Sequence, residues 1–166
     1  MKKIRTTIIC LVFILIATIV SGSNIFTFPS MLIRTTWEIG KIESYITVQS
    51  NERKMHIAQV NNQMVSMEFE NVYRVLWSED GYEMQSLGEH ELEIGRSSKD
   101  DSTILFGNCD HKDVYLIRVE MNNGEMIETE LNKDGLFGII LDGKYKDIKS
   151  IHALDKNYDS VVQINK

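Results

Sequence analysis

The sequence predicts a mainly β protein that begins with an apolar helix. Three basic residues, Lys2, Lys3 and Arg5, precede an uncharged stretch that runs from residue 6 to residue 33. After residue 50, apolar and polar residues alternate in short runs separated by Gly, Asn and Asp turn signals, which is typical of antiparallel strands. These runs show no alternation with helical periods, so a parallel α/β sheet is not expected.

Residues 1–28 predict a membrane anchor or a signal peptide. The apolar heart, residues 8–20, has 13 residues, a length typical of signal-peptide cores. The small residues at 21–23 would suit cleavage before Asn24. Counted to residue 28, an uncharged helix from residue 6 would be about 34 Å long, which is enough to cross a bilayer. We therefore expect an uncleaved single-pass anchor, with secretion after signal cleavage as the alternative.

The charge distribution predicts the orientation of this segment. The basic residues lie before the apolar stretch and the next charge is Arg34, so the N-terminus is expected inside the cell membrane and the remaining chain outside. Phe26 and Phe28 are expected at the outer interface, where aromatic rings settle. The expected partners are the membrane, through the N-terminal helix, and an envelope protein or glycan.

Composition narrows the function classes. The chain has 18 basic and 24 acidic residues, and removing Lys2, Lys3 and Arg5 leaves 15 basic residues, a net charge of −9 for the exported part. Such an acidic balance opposes binding to nucleic acid. Cys10 falls in the apolar segment, so Cys109 has no partner in the exported part and the core must be held by apolar burial.

Residues 29–49 are expected to form a membrane-proximal segment. Trp37 and Ile39 lie near helical spacing with later isoleucines, whereas residues 45–48 have strand composition. A short helix followed by a strand is therefore predicted.

Residues 50–99 predict a small β-rich region. Residues 65–69 place Val, Met and Phe on one strand face, and the alternation is plainest over residues 88–95. The polar stretch at residues 96–102 predicts a long loop or a domain boundary.

Residues 100–166 predict a β-sandwich of immunoglobulin or fibronectin type. Asn123-Gly124 is the strongest short hairpin signal, because both residues tolerate positive φ. Asp134-Gly135 and Asp142-Gly143 mark two further turns. Six short strands with turn signals 8 to 11 residues apart fit a small antiparallel sandwich. The strand at residues 136–141 is expected to be central, with Phe137, Ile139 and Leu141 facing Tyr115, Ile117, Val119 and Met121.

Four segments of this region also carry a resemblance. They are residues 104–107 (Ile-Leu-Phe-Gly), 114–119, 135–137 (Gly-Leu-Phe) and 151–157. These strand and turn residues resemble small, uncharacterised membrane-anchored or secreted β-domain proteins of Gram-positive bacteria. The resemblance implies a β-sandwich and an extracytoplasmic location, and it implies no catalytic residues.

Residues 155–159 begin like a calcium loop. A hand-type loop needs Gly at its sixth position and a bidentate Glu at its twelfth, but Ser160 and Lys166 stand at those places. A hairpin turn is predicted instead, because Asp and Asn side chains bond their own backbone in turns.

Cys109, Asp110, His111 and Asp113 cluster potential metal ligands on a predicted loop. Zinc sites usually pair ligands two to four residues apart with a second pair elsewhere, and the other histidines offer no such pair. The two aspartates also have the wrong charge for a reactive thiolate. We predict a plain polar loop, and no metal, cofactor or catalytic site.

Glu89, Glu91 and Glu93 place three carboxylates on one strand face. Glycosidase chemistry needs two carboxyl groups that face each other across a cleft, whereas a row along one strand produces mutual repulsion. This row is predicted to guard a sheet edge from pairing.

Four aromatic residues, Trp37, Tyr73, Trp77 and Tyr82, are candidates for a recognition groove. Aromatic residues at this spacing in strands mostly belong to a core, and the core interpretation is preferred. The groove for a peptide or a glycan is kept as the alternative.

The function expected from the sequence is a non-enzymatic extracytoplasmic module, tethered to the membrane, that binds or supports another envelope component. One alternative is a metal-dependent or hydrolytic envelope enzyme centred on the loop at residues 109–113. Another is a membrane-tethered regulatory or sensor subunit. Catalytic signatures such as a Gly-x-Ser-x-Gly elbow or His-Glu-x-x-His are missing from the sequence, which favours the first class.

Overall fold

The computed structural model describes residues 2–20, 23–73, 76–88 and 90–165. Over these ranges the chain forms two α-helices, one 3-10 turn and twelve strands. The helices are α1 (Lys2–Val20) and α2 (Thr27–Glu38), and the 3-10 turn is Tyr145–Asp147. The strands are β1 (Ser23–Asn24), β2 (Ser44–Gln49), β3 (Arg53–Val60), β4 (Gln63–Tyr73), β5 (Leu76–Ser86), β6 (Leu92–Lys99), β7 (Ser102–Cys109), β8 (Leu116–Met121), β9 (Met126–Glu130), β10 (Leu136–Asp142), β11 (Ile148–Leu154) and β12 (Ser160–Asn165).

The described strands form three antiparallel sheets. Sheet A has the strand order β1-β5-β4-β3-β2, sheet B has β10-β7-β6, and sheet C has β12-β11-β8-β9. Asn123 and Gly124 turn the chain between β8 and β9, and the Gly124 φ of 86° is the positive value that the hairpin signal predicts. The predicted mainly β, antiparallel fold is confirmed, as is the short helix followed by a strand in residues 29–49.

Sheet B lies between sheets A and C. On one face, Leu105 and Phe137 share an apolar cluster with Ile117 and Val119 of sheet C. On the other face, Ile104 and its neighbours pack with Met55, Ile57 and Met64 of sheet A. Residues 103–109 are buried at every position, the pattern expected of a strand covered on both faces.

Helix α2 covers the outer face of sheet A. Met31 is fully buried against Val65, Met67, Phe69 and Trp77. The prediction that Val65, Met67 and Phe69 share one face is therefore confirmed. From one side to the other, the described layers are α2, sheet A, sheet B and sheet C.

Two glycines of sheet B leave room for aromatic rings of the core. Gly107 pairs with Phe137 across β7 and β10, and a Cβ atom at Gly107 would come within 2.7 Å of the Phe137 ring. Gly95 stands in the same relation to Phe106, with a Cβ-to-ring distance of 2.5 Å. Any larger residue at these positions would displace a core ring.

A buried ion pair of sheet A lies at its contact with sheet B. The Arg53 Nε atom of β3 donates to Glu68 Oε1 of β4 at 2.6 Å, and both residues are about 5% exposed. The same guanidinium donates to the Ser102 carbonyl oxygen at 3.0 Å and to Ser97 Oγ at 2.9 Å. Alternation placed Glu68 on the face opposite Phe69, but it gave no sign that this face is covered by sheet B.

The N-terminal helix is shorter than the expected one. Residues 6–28 were predicted as one helix, but α1 ends at Val20 and α2 begins at Thr27. Between them, Ser23 and Asn24 pair with Ser78 and Trp77 of β5. Ser21 and Gly22 of the candidate cleavage site lie outside the described residues. Within the described residues, no helix combines the length and the apolar character needed to cross a bilayer.

The polar stretch at residues 96–102 is a hairpin, so the predicted long loop is wrong. Strands β6 and β7 pair from Leu92 with Cys109 to Lys99 with Ser102, and Asp100 makes the turn with a φ of 52°. Sheet B thus includes residues from Leu92 onwards, and residue 100 lies at the turn of its first hairpin. Arg53 caps this hairpin through Ser97 and Ser102, which explains why polar residues occupy a strand here.

The expected central strand is only partly confirmed. Phe137, Ile139 and Leu141 all face Ile117, Val119 and Met121 as predicted. In hydrogen bonding, however, β10 is an edge strand of sheet B, and β7 is central. Tyr115 precedes β8 and turns outwards, where its hydroxyl donates to Glu130 Oε1 at 2.6 Å.

Candidate functional site

A polar cleft opens where the loops of sheets A and B meet. Its volume is about 560 Å³. The turn after β3, the link between β5 and β6, the loop after β7 and the turn before β10 all contribute to it. The lining residues are Gln59, Asn62, Leu87, Gly88, His90, Glu91, Glu93, Asn108, Asp110, His111, Lys112, Asp113 and Asp134.

Hydrogen bonds donated by backbone N–H groups hold the cleft loop at residues 110–113 and the neighbouring segment at residues 88–93. The Asp110 backbone N–H donates to the Glu91 carbonyl oxygen at 3.1 Å. The Asp113 N–H donates to His111 Nδ1 at 3.3 Å, and the Gly88 N–H donates to Glu93 Oε1 at 3.1 Å. The loop and two of the glutamates therefore line one cleft, a proximity that the sequence did not predict. Glu89, the third member of the predicted row, lies outside the described residues.

The Cys109 thiol is not part of the cleft surface. Cys109 ends β7, its side chain is 3% exposed, and it packs among the apolar residues between sheets B and C. Burial raises the pKa of this thiol, and the nearby Glu91 and Asp110 carboxylates raise it further. A protonated, buried thiol is neither a nucleophile nor a ready metal ligand. Across the described ranges, no three His, Cys, Asp or Glu side chains are grouped to hold a metal ion.

The calcium-like segment at residues 155–159 is a hairpin turn, as predicted. It joins β11 and β12. Asp155 Oδ1 accepts hydrogen bonds from the Asn157 N–H at 2.8 Å and from the Asp159 N–H at 2.9 Å. The carboxylate is thus engaged by its own loop backbone, and these bonds lower the Asp155 pKa.

The four candidate aromatic residues do not form one groove. Trp77 is buried under α2, and Tyr82 packs against the same cluster, so the core interpretation is confirmed for these two residues. Tyr73 is the last residue of β4. Trp37 differs from them, because it is 89% exposed at the C-terminal end of α2.

Trp37 lines an apolar groove beside α1. The groove has a volume of about 550 Å³. The outward side of α2 supplies most of its lining, and α1 supplies Leu15. The lining residues are Leu15, Phe26, Pro29, Ser30, Ile33, Arg34, Trp37, Glu38, Met67 and Glu79.

Arg34 is neutralised at the rim of this groove. Its Nε atom donates to Glu38 Oε1 at 3.3 Å, and its Nη1 atom pairs with Glu79. The guanidinium carbon lies 4.0 Å from the centre of the Tyr82 ring. Among the described residues that line it, the groove therefore has no unpaired cation with which to attract an anionic ligand.

A buried histidine of sheet A, His56, forms a hydrogen bond with the first residue of α2. Thr27 Oγ1 lies 2.7 Å from His56 Nε2, and Thr47 Oγ1 lies 2.8 Å from His56 Nδ1. Burial lowers the pKa of His56 to about 4, with a smaller contribution from the charge of Lys54. Phe28 was expected at the membrane interface, but it stacks on Tyr45 at 4.3 Å beside this histidine.

Sequence reasoning missed the outward face of α2 and the role of His56. Trp37 and Ile33 are four residues apart, and this spacing was the available signal for a shared helix face. Nothing in the sequence pairs His56 with two distant threonines. Comparisons with protein-family models, with curated proteins and with solved structures found no match to this chain.

Proposed function

We propose that this chain is a non-enzymatic module that is attached to the outside of a membrane and binds another envelope component. The observation that carries the proposal is the apolar surface of α1. Its large apolar side chains are 43% to 73% exposed, which is costly in water and favourable in lipid. They are Ile8, Ile9, Leu11, Val12, Phe13, Ile14, Leu15 and Ile16.

The attachment proposed is a single-pass anchor with the N-terminus inside. The uncharged sequence from residue 6 to residue 33 and the three basic residues before it support this orientation. Secretion after cleavage before Asn24 is the alternative. In either case residues 44–165, which contain strands β2 to β12 and are called here the β region, lie outside the cytoplasm.

The proposed fold of residues 92–165 is a sandwich of the immunoglobulin or fibronectin type. Its seven strands divide into three in sheet B and four in sheet C, and one apolar cluster fills the space between the two sheets. Many cell-surface domains share this architecture. A fold does not define a function by itself, so the binding role rests on the sites.

The polar cleft is the proposed contact site for the envelope partner. Five carboxylates line it against one lysine, Lys112, so a basic segment of a protein would complement its charge. The cleft loops come from two sheets and are fixed by backbone hydrogen bonds. The buried Cys109 leaves the enzyme alternative without a nucleophile at its only predicted centre.

Membrane attachment is tested with the full chain and phosphatidylcholine vesicles. The protein is expected to float with the vesicles and to resist extraction at high pH and high salt. N-terminal sequencing of the native protein distinguishes the anchor, which begins near Met1, from the cleaved form, which begins at Asn24. A protein that remains in the soluble fraction with its N-terminus intact contradicts the attachment.

Partner binding is tested by cross-linking tagged full-length protein in its native envelope. The charge-reversal pair Asp110→Lys and Asp113→Lys is expected to remove a specific cross-linked adduct. The matched control is Asp101→Lys, because the Asp101 side chain is 91% exposed and does not line the cleft. Equal adduct in all variants, or no adduct with the unmodified protein, contradicts the cleft as the contact site.

A further inference from the structure

We propose that the outward face of α2 lies on the lipid surface and fixes the orientation of the β region. The face consists of Phe26, Pro29, Ile33 and Trp37, and it is called here the α2 platform. This inference rests on the proposed membrane attachment, but it assigns a second lipid contact beyond α1. The ligand is the interfacial layer of a bilayer, where lipid headgroups meet acyl chains.

The exposure of the α2 platform is unusual for a helix that already has a buried face. Trp37 is 89% exposed, Ile33 is 63% exposed and Phe26 is 50% exposed. The opposite face is buried at Thr27, Met31 and Thr35. A surface helix normally carries polar residues on its outer face. An apolar outer face therefore indicates a second, apolar partner.

The spacing of the platform residues fits a helix that lies flat on a membrane. Ile33 and Trp37 are one turn apart on the same side of α2, and Pro29 is one turn before them. From residue 26 to residue 37, the platform extends about 16 Å along the helix axis. Interfacial helices of this kind insert their apolar face to a shallow depth.

Continuity with α1 favours lipid over a protein partner. Leu15 of α1 and Ile33 of α2 line the same groove, so the platform adjoins the helix that is proposed to enter the bilayer. A tryptophan at that border has the amphipathic ring that prefers the headgroup region. The chain thus offers one apolar surface, formed by α1 and the α2 platform, to one apolar phase.

The charges around the platform predict contact without a requirement for anionic lipid. Arg34 is paired with Glu38 and Glu79, so the groove lining carries one cation against two carboxylates. Electrostatic attraction to acidic headgroups is therefore not expected to drive the contact between the α2 platform and the bilayer. Contact is expected to persist in zwitterionic phosphatidylcholine and at high salt.

The two tryptophans provide a direct test. Trp77 is 6% exposed and Trp37 is 89% exposed, so Trp77→Phe leaves Trp37 as the single fluorescent reporter in the full chain. With phosphatidylcholine vesicles, its emission is expected to shift to shorter wavelength and to be quenched by lipids brominated near the headgroup end of the acyl chain. Quenching by acrylamide in water is expected to fall by at least half.

A matched reporter controls for simple proximity to the vesicle. Tyr158→Trp, in a chain that also carries Trp37→Phe and Trp77→Phe, places the single tryptophan on the turn before β12, where Tyr158 is 56% exposed. This reporter is expected to show no quenching by brominated lipid. Both chains are expected to float with vesicles, because α1 is unchanged in them.

The outcomes distinguish a failure of the membrane attachment from a failure of the α2 platform. A protein that does not float contradicts both the attachment and the α2 platform. A protein that floats while Trp37 remains open to acrylamide and unquenched by brominated lipid overturns the platform alone. A shift to shorter wavelength without bromine quenching also overturns it, because it means that protein and not lipid covers Trp37.

Discussion

Sheet B and helix α2 both present apolar side chains on two opposite faces, but among the described residues only sheet B meets protein on both. In β7, Ile104 faces sheet A and Leu105 faces sheet C, and both residues are at most 1% exposed. In α2, Met31 is fully buried on sheet A while Trp37 is 89% exposed. Both elements have apolar residues on two sides. In sheet B both sides are covered by protein, whereas in α2 one side remains exposed.

The difference shows what holds each element. Sheet B is stabilised by burial on both sides, which contributes about 25 cal/mol for each Å² of apolar surface removed from water. The inner face of α2 contributes Met31 and two threonines, together with the contact between Thr27 and His56. Sheet B is therefore expected to determine most of the free energy of unfolding of the β region. The contribution of α2 is expected to depend on whether lipid covers its outward face.

The largest effect is expected from Phe137→Ala. Phe137 is 1% exposed and lies in the cluster between sheets B and C. Truncation of a buried Phe to Ala typically costs about 3–5 kcal/mol, against a total stability of about 5–15 kcal/mol for a domain. Denaturant melts should show a marked loss of stability, or the yield of folded protein should fall sharply.

Asp110→Ala is the control for this change, because Asp110 lies on the polar cleft loop. A surface substitution there is expected to cost less than about 0.5 kcal/mol. A loss at Asp110 equal to that at Phe137 would mean that the cleft loop is a structural or metal centre, contrary to the buried Cys109 geometry.

The next effect is expected at the buried ion pair of sheet A, where Arg53 also donates hydrogen bonds to sheet B. Glu68→Gln would leave the Arg53 guanidinium buried without its carboxylate partner, and a broken buried pair costs about 3 kcal/mol or more. The double variant Arg53→Met, Glu68→Leu should recover part of the loss, because it removes both charges. A single variant as stable as the unmodified protein would show that water solvates the guanidinium when the carboxylate is lost.

A smaller, pH-dependent effect is expected at α2. The pKa of His56 is lowered to about 4 in the folded chain from an ordinary value of about 6.5, so the unfolded chain binds more protons between these two values. Stability is therefore complete above about pH 6.5 and falls as the pH falls towards 4. At pH 5 the loss attributable to His56 is on the order of 2 kcal/mol relative to pH 7.5.

His56→Gln isolates this contribution, because glutamine does not titrate. The pH dependence of the variant should be flatter between pH 7.5 and 5 than that of the unmodified protein. Parallel stability curves for the two chains would show that water reaches the histidine and that its pKa is close to the ordinary value.

The sequence predicted the elements more reliably than their partners. Period-two alternation and the Asn123-Gly124 turn placed the strands of sheets B and C, because these signals are local. The polar stretch at residues 96–102 predicts a loop, whereas the structure has a hairpin there. Its Ser97 and Ser102 bond Arg53, which lies more than 40 residues earlier in the chain and cannot be paired with them from local patterns. The sequence identifies the glutamate row and the loop at residues 109–113 as separate features. Their proximity in one cleft depends on how sheets A and B pack, which local patterns do not predict.

The smallest effect is expected on the outward face of α2. It tests most directly whether α2 differs from sheet B in having one face without a protein partner. Ile33→Ala and Ile104→Ala remove the same atoms, from a side chain that is 63% exposed and from one that is fully buried. Without lipid, Ile33→Ala should change the free energy of unfolding by less than about 0.5 kcal/mol, whereas Ile104→Ala should cost about 2–5 kcal/mol. Denaturant melts of the two full-length variants decide the matter. Similar losses would mean that the α2 face is already covered by protein in solution, in a second copy of the chain for example, so that α2 would resemble sheet B in having two protein partners.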